Sequence, residues 1–167
     1  MSLDSFDTLD ALDNPLDVVE EVVAVNEWQF DRQSEEELSV SVAGSWCDYH
    51  LGFCYLGTRG GLQITCAYDV RVPERKWGEI CTLLAMVNER MWLGHFDLWS
   101  DHAIPMFRHG VLIRGGHQPT SRQIEETIEI AISECERYYP AFQFVLWGGK
   151  TADEAIRAAM LETAGEA

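Results

Sequence analysis

Three histidines, His95, His102 and His109, stand seven residues apart, and Asp97 lies beside the first. Two imidazoles and a carboxylate bind a transition metal once they converge. Convergence requires residues 95–114 to double back on themselves. A hairpin centred near Asp101-His102 sets His95 directly opposite His109 and leaves Asp97 two residues along the same face. The same placement also describes a polar cross-strand pair on a solvated sheet face, beside Trp99 and Phe107, with no metal at all. Strand register separates the two readings, and so does elemental analysis of the purified protein.

Other motifs fail on context. Gly149-Lys150-Thr151 resembles the end of a phosphate-binding glycine loop, but the glycine needed five residues earlier is Phe144, and no strand leads into it. A helix C-cap followed by an N-cap accounts for Gly148 to Thr151. Arg59-Gly60-Gly61 and Arg114-Gly115-Gly116 are single steps at turns. There is no Gly-x-Ser-x-Gly, and no spacing sets a cysteine beside a base. Asp69, Arg71 and Glu74 surround a strand-to-helix junction as surface charges. Neither a catalytic residue nor a cofactor is expected.

The elements that must position these residues are organised around Pro73–Trp92. Trp77, Ile80, Cys81, Leu84, Val87 and Met91 recur at helical spacing and line one face. Such a stripe requires an apolar sheet to lie on, and period-two sequence stands on both sides of it. Before it come Trp28–Gln33, Leu38–Ala43, Trp46–Tyr55 and Leu62–Val72, four strands of an antiparallel meander. After it, His95–Ser100 and Ile104–Arg114 form a second hairpin. Asn14-Pro15 caps a first helix that buries Leu16, Val19, Val22, Val23 and Asn26 and ends near Trp28. Thr120-x-x-Gln123 caps another, to about Tyr139, where Pro140 breaks or kinks it. Phe142–Trp147 reads as a separate buried turn or helix, and Thr151-x-x-Glu154 opens the last one.

Residues 1–37 hold twelve acids and one base, Arg32, so most of the formal charge of −16 lies there. Such a surface repels a phosphate backbone, and nucleic acid is not an expected partner. No apolar run approaches the ~20 residues that span a bilayer, and no basic secretory start is present. Cys47, Cys54, Cys66, Cys81 and Cys135 sit in apolar patterns and read as reduced core residues of a cytoplasmic protein. In the leader, Leu3, Phe6, Leu9 and Leu12 recur every third residue, each followed by aspartate. This segment docks on a groove, of its own domain or of a partner, or is an acidic tail. Trp28, Trp46, Trp92, Trp99 and Trp147 fall near element ends, where exposed aromatics mark protein contacts.

The strings NERMWLGHFDLW (Asn88–Trp99) and ECERYYPAFQFVLWGGKT (Glu134–Thr151) resemble the YbjN-like family, labelled as bacterial sensory transduction regulators, and the likeness covers roughly residues 15–160. The resemblance implies a fold similar to type III secretion chaperones and a small, acidic homodimeric module that binds a polypeptide. The family supplies no active-site residues to carry over.

The sequence therefore predicts an α+β domain over residues 15–164, preceded by a leader, 1–14. The expected sheet has about six antiparallel strands with helices on one face, in the order α-β-β-β-β-α-β-β-α-α. The expected function is non-enzymatic binding of a protein or of its own copy, without membrane or nucleic acid. Leu3, Phe6, Leu9, Leu12, Trp46 and Trp99 are the candidate contacts. The alternative is a small metal-binding protein or enzyme that uses the His95, Asp97, His109 face.

Overall fold

The computed structural model describes residues 14–113 and 117–165. The chain runs α1 (Pro15–Val25), β1 (Gln29–Arg32), β2 (Glu37–Ala43), β3 (Asp48–Leu56), β4 (Gly61–Ala67), α2 (Trp77–Asn88), β5 (His95–Trp99), β6 (Ile104–Leu112), α3 (Ser121–Leu146) and α4 (Ala152–Gly165). All strand pairs are antiparallel in one six-stranded sheet, in the order β1-β2-β3-β4-β6-β5. The expected class and element order are therefore found. After α2 the chain lays down the outer strand β5 first, then returns through β6 to pair with β4.

Alternation decides which face is covered. Leu38, Val40, Leu51, Phe53, Leu62, Ile64, Phe96 and Phe107 share one face and are buried beneath the helices. Tyr68 follows β4 into this core. Its hydroxyl donates to the Cys135 carbonyl at 2.9 Å, and its ring lies 5.1 Å from Tyr139 and 5.2 Å from Phe142. Strand pairing weakens beyond Ala67, so β4 ends before the expected Val72; the amides of Tyr68 and Val72 still donate to Pro105 and Ala103 carbonyls. Likewise β5 stops at Trp99 and β6 at Leu112.

Local rules placed the caps. The Asn14 side chain accepts from the Leu16 amide, and Pro15 opens α1. Thr120 and Gln123 form a reciprocal capping box on α3, and Thr151 and Glu154 exchange the same two bonds before α4. Gly149, at φ +65°, turns the chain between them.

Four expectations are corrected. Pro140 does not end its helix: α3 is continuous through Leu146, and Phe142–Leu146 forms its last turns, ahead of the Trp147 C-cap. An interior proline costs ~3 kcal/mol, but Ala141, Phe142, Val145 and Leu146 are all buried by the helical path, and a few such side chains outweigh that cost. On α2, Leu83 is buried and Cys81 is exposed, so the inward face is rotated from the expected stripe. Cys47 and Cys54 are half-buried, leaving Cys66 and Cys135 as the core cysteines. In α1 the helix ends at Val25, and Asn26 acts as its C-cap, donating from Nδ2 to the Val22 carbonyl at 2.9 Å.

Asn88, at the end of α2, replaces a missing strand neighbour. Its Nδ2 donates to the Phe96 carbonyl at 3.0 Å, and its Oδ1 accepts from the Phe96 amide at 2.7 Å. Asn88→Ala strands both backbone groups beside the buried Phe96 ring and is expected to lower stability by about 2 kcal/mol in urea unfolding. Faster hydrogen exchange at the Phe96 amide accompanies it; an unchanged midpoint contradicts the assignment.

Candidate functional site: the open face of the sheet

With the helices gathered on one side, alternate strand residues form a second face. The ladder aligns Ser39, Gly52, Thr65, Arg108 and His95 in one row, and Ser41, His50, Ala67, Met106 and Asp97 in the next. Ser39, Gly52, Thr65 and Ala67 are small, so the centre of this face sinks into an open hollow of about 630 Å3. A Cβ at Gly52 would meet Thr65 Oγ1 at 2.7 Å, so a larger residue there displaces the Thr65 side chain. Gln33 and Glu37 stand at one rim, Trp99 and Ser100 at the other.

Arg108 crosses the hollow's far side. Its Nη1 donates to Asp97 Oδ2 at 2.8 Å, while its buried Nε has no partner among the described residues. Trp99 is 46% exposed and packs edge-on to His102, ring centroids 4.0 Å apart. Cys54 lies half-buried on the same face, and burial pushes its thiol up, with the Glu37 and Glu36 charges adding to the shift. The buried Cys135 thiol is raised still further by desolvation. Raised thiols are poor nucleophiles at neutral pH.

The register resolves the histidine expectation. Arg108, not His109, stands opposite His95, and Met106 stands opposite Asp97. His109 is one residue out of phase; it pairs with Ile64 on β4 and belongs to the helix side of the sheet. His95 and Asp97 share the open face as expected, but the three do not converge. Among the described residues no group of three or more His, Cys, Asp or Glu side chains is placed to hold a metal ion.

Burial lowers the His109 pKa from its ordinary 6.5, and repulsion from His95 lowers it further. The unfolded chain therefore takes up this proton first, and the stabilisation from a neutral His109 is lost as pH falls through the ordinary histidine range. The melting temperature is expected to drop between about pH 7.5 and about pH 5, and less steeply in His109→Gln. Equal slopes in the two proteins would remove His109 as the source.

Of the expected contact residues, Trp99 lies on the rim of the hollow. Trp46, 44% exposed, sits on the β2–β3 turn and stacks on Tyr139 of α3 with centroids 6.3 Å apart, away from the open face. Leu3, Phe6, Leu9 and Leu12 lie outside the described residues. Sequence reasoning missed the floor, Ser39, Gly52, Thr65 and Ala67. Their signal was the small residue at every second strand position, which reads as ordinary alternation. A second hollow joins exposed Trp92 and Leu112 to Val111 and Ile130.

No described helix is long and apolar enough to cross a membrane. None of the curated proteins compared with the chain matches it. Among solved structures it is similar to that of YbjN from E. coli, described as "a putative transcription regulator", at 14% identity and a TM-score of 0.48, covering 74% of this chain and 93% of the other. The family model described as "Putative bacterial sensory transduction regulator" matches residues 15–144, most of the chain. The protein therefore belongs to the YbjN family.

Proposed function

We propose that this protein is a non-enzymatic binding module of a bacterial regulatory pathway, acting in the cytoplasm, and that it holds a polypeptide segment against the open face of its sheet in a chaperone-like manner. The observation that carries this reading is the hollow itself: a floor of small residues across three adjacent strands, with an aromatic and an ion pair at its far side. A broad, shallow trough in which no three His, Cys, Asp or Glu side chains among the described residues gather to hold a metal suits an extended peptide better than a reacting small molecule. The net charge of −16 argues against nucleic acid as the ligand.

A photo-crosslinking side chain at Ala67, in cells of the source bacterium, tests this. The expected result is an adduct with one defined polypeptide, lost when Thr65→Trp fills the floor. Adducts spread over many abundant proteins, unchanged by Thr65→Trp, overturn it. Self-association is part of the proposal and is supported by the adjoining exposed Trp92 and Leu112. Light scattering is expected to give twice the 18.9 kDa chain mass, falling to one chain in Trp92→Asp.

A further inference from the structure

The open face selects among peptides by charge. We propose that the segment it holds is basic: an extended stretch whose Lys or Arg side chains meet Asp31 and Glu37 at one border and Trp99 beside Asp97 at the other, with uncharged residues between them. This rests on the reading of the open face as a peptide-binding surface and names the chemistry of its ligand.

Strand register assigns the charges of this face. Asp31 stands beside Ser39 on the outer strand β1, Glu37 opposite Cys54, Asp48 opposite Ala43 and Asp97 opposite Met106. Among the strand residues of the face Arg108 is the single Lys or Arg, and it is already paired with Asp97 at 2.8 Å. Asp31, Glu37 and Asp48 are exposed and have no ion-pair partner among the described residues. A segment laid on the face draws these carboxylates out of water. Basic side chains offset that loss, whereas neutral or acidic ones leave the carboxylates unpaired or repelled.

The two borders are set apart by a distance that a short peptide covers. From β2 across β3, β4 and β6 to β5 is four strand spacings, about 19 Å, or about six extended residues. At the far border Trp99 is 46% exposed, and His102 packs edge-on against it. The ring surface left open, with Asp97 two residues back on the same face of β5, suits an ammonium or guanidinium group. Between the borders the floor of Ser39, Gly52, Thr65 and Ala67 is small and uncharged, so the middle of the segment needs no charge. Ser41, His50 and Gln63 add polar groups on the same face for its backbone. A second copy of this chain does not meet the description, because it brings a net charge of −16 of its own.

The test selects a randomised eight-residue peptide library on immobilised full-length protein at about 0.15 M salt. The expected sequences are enriched several-fold in Lys and Arg and depleted in Asp and Glu. Thr65→Trp keeps the net charge and fills the floor, so it is expected to lose them. A selected peptide is expected to bind about fivefold more weakly to Asp31→Asn with Glu37→Gln. Glu125→Gln with Glu129→Gln, which removes the same charge from exposed positions of α3, is expected to change its affinity less than twofold. This pair of variants decides the matter if Thr65→Trp fails to fold. Neutral or acidic sequences, or equal weakening by the two double variants, overturn the basic ligand. The open face still binds peptides in that case, provided Thr65→Trp abolishes the binding; sequences retained by a folded Thr65→Trp overturn both readings.

Discussion

Tyr68→Ala is expected to remove about 4 kcal/mol of stability, enough to leave much of the protein unfolded at 37 °C. The ring is fully buried and touches four others: Tyr49 at 6.1 Å, Phe96 at 6.1 Å, Tyr139 at 5.1 Å and Phe142 at 5.2 Å between centroids. It joins the last residues of the β4 side to both turns of α3 that flank Pro140. Truncation opens a cavity that these rings cannot fill without leaving their rotamers. Tyr68→Phe separates the hydroxyl from the ring. It keeps the packing, leaves the Cys135 carbonyl without that donor, and is expected to cost about 1 kcal/mol. Chemical denaturation of both variants checks the pair; similar losses would show that the hydrogen bond, not the ring, dominates.

Gly94→Ala is expected to cost about 3 kcal/mol, well above its counterpart Gly149→Ala at about 1–2 kcal/mol. Both glycines have nearly the same backbone, φ +66° and φ +65°. A side chain at Gly149 would enter open space, so only the left-handed conformation is penalised there. At Gly94 a Cβ would run into the Phe107 ring and approach the Arg108 carbonyl at 2.8 Å. Phe107 is edge-packed on Phe96 and cannot withdraw without disturbing β5. The difference between the two substitutions, read from denaturation midpoints, isolates the contact from the dihedral. Equal losses would contradict the contact.

What the sequence disclosed follows from how local each rule is. Asn14-Pro15, Thr120 with Gln123, and Thr151 with Glu154 act within four residues, and all three caps stand where expected. Strand alternation likewise identified the six strands. Pro140 misled because its helix is held by distant rings, and no local rule weighs that burial. Cys81 and Leu83 were exchanged because a helical stripe fixes a face only to within one flanking position. The histidine arrangement failed by a single residue of register, which inverts a side chain across a sheet. The open face escaped notice for a different reason. Serine, glycine, threonine and alanine at alternate positions carry no motif, and their meaning arises only when three strands set them side by side.

The lengths of the outermost strands have a consequence for concentrated solutions. β1 presents four residues and β5 five, and each carries fixed charge, Asp31 and Arg32 on one and Asp97 on the other. A foreign strand arriving at either border would find few free amides and would have to desolvate those ions. Cross-β growth is thereby discouraged at both ends, and the layer keeps its width of six strands without a barrel seam to protect it.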